Sequence, residues 1–310
     1  MMKHFNGIAN VNGIVSSIEN ARVSVMDRGF LYGDSIYEVL TTIKGTPLFF
    51  DEHWDRFNNS AKLINLDIKI SKEELFFEIN KLFLVDSLPR NIDFYIRYII
   101  TRGEGEIDLF PDTNLESNLI IIAKEIRSWP KKFYDEGIKL AIPKIKRNST
   151  NSLNPNIKGG NYLNNILGLI HSRQLGADDC LMLNEYGYIT ESSSSNIFFV
   201  IDNRIVTPSE LSGNLRGITK NAIHKICSDN NINNIEIDLE LNELDVATEC
   251  FITSSTRGIM PVMSLQLSED NIINFPCGGG EYTKKLITCY KEYLEEYVSN
   301  NDDLLLYKKI

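Results

Sequence analysis

The sequence predicts a mixed α/β (α+β) fold built from two domains, and three observations support this prediction. The 310 residues suffice for two hydrophobic cores, and apolar residues make up 43% of the chain. Short, strand-sized apolar runs alternate with amphipathic helical patterns. The pattern stops at a polar, proline-containing stretch and then restarts. We therefore expect a small N-terminal α+β domain over residues 1–126, an interdomain linker over 127–136 and a larger C-terminal α/β domain over 137–310.

The N-terminal third combines two helices with several short strands. Asp51 stands where an N-cap would begin a helix with apolar positions at Trp54 and Phe57. Ser71 is expected to cap a second helix over residues 72–85. The loop DRGFLYGDS separates the first two strands. Strands are predicted at 13–18, 35–43, 47–50, 93–101 and 118–124.

The remaining two thirds begin with the linker, which is predicted from Pro130. Proline has no amide donor and disfavours helix for the residue before it. A polar, Asn-rich loop then leads to Lys158, and a helix over 162–175 ends at Gly176 with its apolar residues on one face. Further strands are predicted at 137–145, 180–183, 188–190, 197–201, 204–207 and on either side of 254–258, and further helices from 219, over 242–248 and over 282–298.

The composition argues against several classes of function. The chain carries 32 basic and 42 acidic residues, which disfavours nucleic-acid binding because that needs clustered Lys and Arg. Five scattered cysteines without a CxxC pair argue against a disulfide framework and a structural metal. The first residues lack the apolar core of a signal peptide, and the apolar runs are too short to span a bilayer. We expect a cytoplasmic protein without a metal, a membrane contact or a nucleic-acid partner.

Two short segments carry residues suited to an amine and a phosphate. Lys158 follows a predicted strand and precedes two glycines and a helix. A neutral lysine amine can attack a carbonyl, although a surface lysine is the commoner case. The run Gly217-Ile218-Thr219 lies where a loop becomes a helix, so its amides and the helix dipole favour an anion. A capped helix without a ligand is the alternative there.

Two further segments supply hydroxyls and a carboxylate. Hydroxyl side chains from Thr253 to Thr256 end a strand before Gly258, which suits phosphate or carboxylate oxygens and equally suits a plain polar turn. Glu191 lies between two apolar strands, where a buried carboxylate needs a partner such as a protonated pyridine nitrogen. The serine run 192–195 is bracketed by strands, which argues against simple disorder.

Taken together, these segments resemble one protein family. The runs KGGNYLNN, GYITESSSSNIFFV, GNLRGIT and SSTRGIMPV are similar in order and spacing to the class IV aminotransferases, the fold-type IV pyridoxal-phosphate enzymes. The runs VMDRGFLYGDSIYEV and DEHWDRFNNSAKLI resemble the N-terminal domain of that family. The resemblance covers residues 8–265. It implies a two-domain fold with the active site between the domains and pyridoxal 5'-phosphate as the cofactor.

The resemblance also implies roles for individual residues. Lys158 would hold the cofactor covalently and move a proton between the substrate carbon and the cofactor carbon. Glu191 would pair with the pyridine nitrogen and keep the ring electron-poor. The cofactor phosphate would be bound by the Arg56 side chain, the amides of Ile218 and Thr219 and the hydroxyl of Ser255. Tyr162 would hydrogen-bond the phenolic oxygen, and Arg147 has no clear role.

Within the family, the sequence is most similar to the branched-chain amino acid aminotransferases. The strand DFYIR supplies Tyr95 and Arg97, which in those enzymes help to hold substrate carboxylates. The other substrate contacts that the resemblance implies are Phe30, Tyr32, Thr256 and Arg257, of which Phe30 and Tyr32 would reach into a neighbouring subunit of a homodimer or higher homo-oligomer. We expect transfer of the amino group of L-leucine, L-isoleucine or L-valine to 2-oxoglutarate by a ping-pong mechanism.

Two departures from the branched-chain pattern keep alternatives open. Arg257 stands where those enzymes have a small residue, and could bind a second carboxylate or face solvent. The serine run 192–195 replaces a small Gly/Ala pattern. The alternatives are aminodeoxychorismate lyase, which eliminates pyruvate without a second oxo acid, and D-amino acid or amine transaminases. The stretch GEGEIDLFPD lacks the Arg-x-His pair typical of the D-amino acid enzymes. A non-enzymatic cofactor-binding protein would lack Lys158 or Glu191, and both are present.

Overall fold

The computed structural model describes residues 6–85, 88–89 and 92–307. It contains both sheets and helices, which confirms the predicted fold class. The chain forms two compact units: unit 1 comprises Met1–Arg127, Ile157–Asn161 and Glu295–Ile310, and unit 2 comprises Ser128–Asn156 and Tyr162–Leu294. The first change of unit lies in the predicted linker. The segments 157–161 and 295–310 differ from the prediction, because both belong to unit 1 and not to a continuous second domain over 137–310.

Unit 1 is an antiparallel sheet with two helices packed on one face. Its strands are β1 (Ile8–Val11), β2 (Ile14–Ser17), β3 (Ser35–Ile43), β4 (Thr46–Pro47), β5 (Phe94–Thr101) and β6 (Asn118–Glu125), in the spatial order β2-β1-β6-β5-β3-β4. Its helices are α1 (Arg28–Tyr32), α2 (Phe50–Leu63) and α3 (Lys72–Phe83). Ile36, Leu40, Phe57, Leu75 and Ile96 are fully buried in the core of the unit.

Two segments that are distant in sequence return to unit 1 and explain its boundaries. The Tyr37 N–H donates a hydrogen bond of 2.9 Å to the Lys158 carbonyl, so the segment 157–161 runs along β3. Leu306 is buried in the core, and its N–H donates to the Gly45 carbonyl at 3.1 Å. Both contacts join residues far apart in sequence, and local patterns do not reveal such pairs.

The starts of α2 and α3 show one wrong and one confirmed prediction. Ser71 caps α3 through a capping box with Glu74, as its sequence position predicts. Asp51 is not the N-cap of α2, because the helix already begins at Phe50 and Asp51 lies in its first turn. Phe49 takes the cap position in the left-handed region, at φ 56°. The Phe50 N–H donates to the Tyr297 hydroxyl at 3.3 Å, which replaces the expected side-chain cap.

Unit 2 is a nine-stranded mixed sheet. Its strands are β7 (Ile138–Ala141), β8 (Asp179–Leu183), β9 (Ile189–Ser192), β10 (Asn196–Ile201), β11 (Arg204–Pro208), β12 (Asn234–Ile237), β13 (Glu249–Ser254), β14 (Gly258–Gln266) and β15 (Ile272–Asn274). Their order is β12-β11-β10-β13-β14-β7-β8-β9, with β15 paired to β14. The helices are α4 (Lys132–Asp135), α5 (Leu163–Gln174), α6 (Ile218–Asp229) and α7 (Glu281–Asn300), the last of which continues into unit 1.

Two apolar layers cover opposite faces of β10 and β13. Phe198 and Phe251 pair across the two strands and belong to the layer that contains residues of α6 and α7. Side chains alternate between the faces of a strand, so residues two positions away share a face. Asn196 and Thr253 pair in the same register and therefore lie on the face that α6 covers.

The apolar side of α5 is its exposed side. The sequence places the apolar residues of this helix on one face, and four of them are 41–66% exposed: Leu163, Ile166, Leu167 and Ile170. The residues that α5 buries are Asn165, Gly168 and Ser172. A Cβ at Gly168 would lie 2.9 Å from the Met182 sulfur, so the helix packs closely on β8 through its small residues.

Three short segments differ from the prediction. Leu241–Val246 is a 3-10 helix, and the helix predicted over 242–248 stops early because the Thr248 N–H donates to the Val200 carbonyl at 2.8 Å. The strand predicted at 47–50 is limited to β4 by the early start of α2. The predicted linker contains α4. Strands β1, β12 and β15 lacked a clear sequence signal. Within the described residues, no helix combines the length and the apolar character that crossing a membrane requires.

Candidate active site

Lys158 lies in unit 1, where its backbone is fixed on two sides. Its carbonyl accepts from the Tyr37 N–H of β3, and its own N–H donates to the Ser60 hydroxyl of α2 at 3.1 Å. A Cβ at Gly160 would lie 2.6 Å from Ser35 Oγ, so this glycine permits the close approach of the segment to β3. The glycines that follow Lys158 in the sequence therefore bring the segment close to a strand of the same unit.

An aromatic ring lies beside the Lys158 amine. Lys158 Nζ is 4.8 Å from the centroid of the Tyr37 ring, and Arg97 Cζ is 3.7 Å from the same centroid. The register of β3 and β5 pairs Thr41 with Tyr95, which places Tyr95 on the same sheet face as Arg97. The structure therefore brings the predicted residues Lys158 and Arg97 together around Tyr37. Tyr37 was missed, although the alternation of SIYEVL separates it from the core residues of β3.

Arg56 is part of a buried ion cluster on the core side of the same sheet. Its Nε and Nη2 lie 2.7 Å from Glu38 Oε1 and Oε2. His53 Nδ1 lies 2.6 Å from Glu38 Oε2. The predicted phosphate contact of Arg56 stays a prediction, because the structure shows its guanidinium bound to Glu38. Glu38 and His53 were not singled out from the sequence.

The cluster shifts the pKa values of its members. Burial raises the pKa of the Glu38 carboxyl, but the charges and hydrogen bonds of Arg56 and His53 outweigh burial and hold this pKa well below its ordinary value. Burial lowers the pKa of His53 by more than Glu38 raises it. Glu38 is therefore ionised and His53 neutral at pH 7, and the Arg56 charge is balanced by one carboxylate.

Glu191 lies in unit 2 on β9 and is held by two separate segments. Arg147 Nη2 is 2.8 Å from Glu191 Oε1, and the Leu215 N–H donates to Oε2 at 3.1 Å. The side chain of Glu191 is 7% exposed. Arg147 also donates from Nη1 to Asn165 Oδ1 at 2.8 Å. The structure thus gives Arg147, which had no clear role from the sequence, the position of an ionic partner of Glu191.

The start of α6 offers backbone amides without a side-chain cap. Gly217 is the N-cap residue, and a Cβ there would overlap Asn196 Oδ1. Thr219 makes a side-chain hydrogen bond to Tyr290, whose pKa is raised by burial to about 12. Any anion at this terminus would therefore meet the amides of Ile218 and Thr219 and not the Thr219 hydroxyl. The phosphate contacts of these two amides stay a prediction.

Buried hydroxyls lie near the ends of the strands that α6 covers. In the part of the chain that the structure describes, Thr253 Oγ1, Ser192 Oγ and Ser195 Oγ are buried without a hydrogen-bond partner. Thr253 lies on the α6 side of β13. Buried hydroxyls normally have a partner, so these groups fit a site that a polar ligand completes. All three lie in the hydroxyl-rich runs that the sequence indicated, although the sequence did not distinguish them from their neighbours.

The turn after β13 orients Thr256 and Arg257. The Arg257 N–H donates to the Ser254 carbonyl at 3.2 Å, and Gly258 has a φ of 61°, as the tight turn predicts. The Thr256 carbonyl accepts from Trp129 Nε1 at 3.3 Å. Arg257 Nη1 lies 2.8 Å from Asp179 Oδ2, so its guanidinium pairs with a buried carboxylate. The substrate roles of Thr256 and Arg257 stay predictions.

Phe30 and Tyr32 both lie on the short helix α1. Asp27 Oδ1 accepts from the Gly29 N–H at 2.7 Å and caps α1. Phe30 of that helix is 72% exposed, and the Arg28 guanidinium lies over the Tyr32 ring, with Cζ 4.9 Å from the ring centroid.

The predicted site residues are divided between the two units. Unit 1 contains Phe30, Tyr32, Arg56, Tyr95, Arg97 and Lys158, and unit 2 contains Tyr162, Glu191, Ile218, Thr219, Ser255, Thr256 and Arg257.

Comparison with known proteins identifies the family. The family model described as amino-transferase class IV matches residues 35–265. The chain belongs to the class IV aminotransferases. This confirms the predicted family and the enzyme class, a pyridoxal-phosphate-dependent aminotransferase. The matched range contains the Lys158 and Glu191 segments and both hydroxyl-rich runs, and it begins within the run VMDRGFLYGDSIYEV.

Three relatives of this class IV aminotransferase are informative. A putative branched-chain-amino-acid aminotransferase of Methanocaldococcus jannaschii is 33% identical over 91% of this chain and 94% of its own. A D-alanine aminotransferase of Listeria monocytogenes is also 33% identical, over 81% of this chain and 85% of its own. The T.th. branched-chain amino acid aminotransferase with pyridoxamine 5'-phosphate has a TM-score of 0.82 and 26% identity, covering 96% of both chains. The predicted cofactor, pyridoxal 5'-phosphate, is thereby confirmed.

The residues of this aminotransferase fit the cofactor. A phosphate monoester needs several donors, and the uncapped amides at the start of α6 together with the buried hydroxyl of Thr253 are of that kind. A protonated ring nitrogen needs an anion, and Glu191 is a carboxylate that Arg147 and the Leu215 N–H hold in place. Lys158 supplies the amine on a backbone that is fixed to β3.

Proposed function

We propose that this aminotransferase moves the amino group of a branched-chain L-amino acid to 2-oxoglutarate in two half-reactions. The observation that carries the proposal is that Arg97 and Lys158 both contact the ring of Tyr37. A guanidinium beside the reactive amine suits the α-carboxylate that every amino acid and oxo acid substrate carries. Tyr95 on the same sheet face adds an aromatic wall, which suits an aliphatic side chain.

The relatives support this choice of substrate. The Methanocaldococcus jannaschii protein and the T.th. enzyme are both named for branched-chain amino acids. The T.th. enzyme has also been solved with N-(5'-phosphopyridoxyl)-L-glutamate, at 27% identity and a TM-score of 0.81. L-glutamate is the amino acid that 2-oxoglutarate becomes when it accepts an amino group. These names are the reason for placing 2-oxoglutarate in the second half-reaction.

The proposed roles of the residues follow from their surroundings. Pyridoxal phosphate supplies an aldehyde that captures amines and an electron-poor ring that stabilises negative charge on the substrate carbon. Lys158 Nζ would hold this aldehyde and, once released, move the proton at the substrate carbon. Glu191, paired with Arg147, would hold a proton on the ring nitrogen. The amides of Ile218 and Thr219, with Arg56 and Ser255, would bind the phosphate, and Tyr162 the phenolic oxygen.

A second copy of the chain is part of the proposal. The exposed apolar stripe of α5 repeats at positions i, i+3, i+4 and i+7, as expected for a helix that packs against another surface. Phe30 on α1 is likewise an exposed large apolar side chain. We expect a homodimer or higher homo-oligomer in the cytoplasm, in which Phe30 and Tyr32 contribute to the substrate pocket of the partner.

D-amino acid transamination is the second candidate function. It is supported by the Listeria monocytogenes D-alanine aminotransferase, which matches at the same 33% identity over a shorter part of the chain. The sequence lacks the Arg-x-His pair expected of such enzymes, which favours the branched-chain proposal.

A substrate panel on the purified holoenzyme tests the proposal. L-leucine, L-valine, D-alanine and aminodeoxychorismate are each assayed with and without 2-oxoglutarate. We expect turnover of L-leucine and L-valine that requires 2-oxoglutarate and produces L-glutamate. Turnover of D-alanine without L-leucine would establish the second candidate instead. Pyruvate release from aminodeoxychorismate without an oxo acid would reassign the chain as a lyase.

A further inference from the structure

Arg257 is bound on a buried carboxylate of unit 2. Its Nη1 lies 2.8 Å from Asp179 Oδ2, and the two side chains are 10% and 2% exposed. The guanidinium also lies over the Trp129 ring, with Cζ 4.5 Å from the centroid. An ionised carboxylate as buried as Asp179 needs a paired cation, and Arg257 provides it. These contacts engage one edge and one face of the guanidinium.

Asp179 in turn fixes the turn that follows Glu191. Its Oδ1 accepts from the Ser193 N–H at 3.2 Å and from the Cys180 N–H at 2.8 Å. The Ser193 carbonyl accepts from Asn165 Nδ2 at 2.8 Å. Both backbone polar groups of Ser193 are therefore bound to side chains, one on β8 and one on α5. Ser193 is two residues from Glu191, so its position limits where β9 can place that carboxylate.

A second set of contacts links Ser193 to Glu191 through the side chains of Asn165 and Arg147. Asn165 Oδ1 accepts from Arg147 Nη1 at 2.8 Å, and Arg147 Nη2 is 2.8 Å from Glu191 Oε1. The chain of contacts thus runs from Arg257 through Asp179, Ser193, Asn165 and Arg147 to Glu191. All of these residues belong to unit 2. Networks of this kind couple energetically because each member fixes the geometry of the next.

We propose that Arg257 is a positioning residue that acts on Glu191 through Asp179 and the Ser193 turn, and that it does not bind a substrate carboxylate. The proposal rests on the proposed contact between Glu191 and the cofactor ring nitrogen. It explains why a large cation follows the hydroxyl-rich run of this chain: the cation neutralises Asp179, and Asp179 holds the serine turn. Arg257 and the serine run 192–195 then belong to one network of ion pairs and hydrogen bonds.

The test compares four variants with the wild-type enzyme. Arg257→Gln and Arg257→Lys change the cation, Asp179→Asn removes the charge but keeps an oxygen for the Ser193 N–H, and Arg257→Gln/Asp179→Asn combines the two. The matched control is Arg173→Gln, because Arg173 pairs with the neighbouring Asp178 at 3.7 Å and is 55% exposed. For each protein we measure the Kd of pyridoxal phosphate for the apoprotein by visible absorbance, the melting temperature of the apoprotein, and kcat and KM for L-leucine and 2-oxoglutarate.

We expect Arg257→Gln to raise the cofactor Kd about tenfold and to lower kcat by a similar factor, which is the usual effect of losing a residue that orients a contact group. The KM values for L-leucine and 2-oxoglutarate keep their ratio. Arg257→Lys restores part of the loss, because it keeps the charge. The double variant is no worse than Arg257→Gln alone, since both changes interrupt the same pathway. Arg173→Gln leaves all quantities unchanged.

Two results would overturn the proposal. A weaker apparent affinity for 2-oxoglutarate alone, with the cofactor Kd unchanged, would make Arg257 a substrate residue. A lower melting temperature with an unchanged Kd and kcat would make it merely structural. If Arg257→Gln does not fold, Arg257→Lys and Asp179→Asn carry the same test. The cofactor Kd does not depend on the amino donor, so it still decides the matter if the substrate panel contradicts the proposed function.

Discussion

Glu38 in unit 1 and Glu191 in unit 2 are both buried strand carboxylates paired with an arginine, but they are held in different ways. Both partners of Glu38, His53 and Arg56, come from the single helix α2. The partners of Glu191 come from two segments far apart in sequence, at Arg147 and Leu215. The Glu38 side chain is 0% exposed, whereas that of Glu191 is 7% exposed.

We infer from this difference that the two carboxylates affect different properties. Both partners of Glu38 are in place once α2 packs on the sheet, so we expect Glu38 to act mainly on the stability of unit 1. Glu191 retains some exposure and is held by two separate segments, which fits its proposed contact with the cofactor. Substitutions at the two positions should therefore change different measured quantities.

The largest expected effect is on the stability of unit 1. Glu38→Gln leaves Arg56 buried without its carboxylate and should lower the free energy of unfolding by about 3–5 kcal/mol. Urea denaturation followed by circular dichroism measures this loss. Glu52→Gln on the exposed side of the same helix is the control and should change little. A loss below about 1 kcal/mol for Glu38→Gln, the range of exposed ion pairs, would contradict the buried cluster.

The next effect is on catalysis in unit 2. Glu191→Gln should lower kcat by about 10²–10³-fold, as expected when one fixed electrostatic contact to the reacting group is lost. Its stability should fall by less than that of Glu38→Gln. Steady-state kinetics and urea denaturation on the same preparations give both values, with the exposed turn residue Glu185→Gln as the control. An unchanged kcat would remove Glu191 from the site.

The smallest effect concerns a third carboxylate, which is half exposed. Lys220 Nζ and His224 Nε2 lie 2.9 and 3.0 Å from the Glu236 oxygens. The contact with His224 is the largest contribution that lowers the Glu236 pKa, which falls to about 2. Because this pKa is depressed on folding, the stabilisation is present above the ordinary value of 4.5 and is lost as the pH falls towards 2.

Glu236→Gln should therefore flatten the acid side of the stability curve. The free energy of unfolding of the variant, measured by urea titration at several pH values between about 5 and 2, should depend less on pH than that of the wild type. At neutral pH the variant should be the less stable of the two. Parallel curves for the two proteins would contradict the ion pair.

Local signals in the sequence were sufficient for much of the fold. The Ser71 cap of α3 is confirmed, and so are the strands predicted at 197–201 and 204–207, which pair across a turn at Asp202 and Asn203 with φ values of 49° and 58°. Both depend on residues close together in the chain. The cap of α2 was wrong because its acceptor is Tyr297, which lies far away in sequence. The segment around Lys158 was assigned to the second domain because its pairing with β3 has no local signal.

The sequence identified the motifs of the candidate site, but not the residues that hold those motifs in place. Lys158, Glu191 and the start of α6 follow from runs of residues whose chemistry and order resemble one family. Tyr37, Asp179 and Asn165 escaped notice because their roles depend on which strands lie side by side. The apolar stripe of α5 was visible, but periodicity shows only that a helix has two faces. It does not show which of them the unit buries.

We propose that Lys158 is the lysine that holds the cofactor, and identification of the covalently modified peptide tests this most directly. The holoenzyme is treated with borohydride, which makes the reducible lysine–cofactor link permanent, and is then digested for peptide mass analysis. Lys220 is the informative comparison, since it is buried at 2% exposure but bound to Glu236. We predict a single modified peptide containing Lys158, and no label in Lys158→Ala. A label on Lys220 or another lysine, with Lys158 unmodified, would contradict the account.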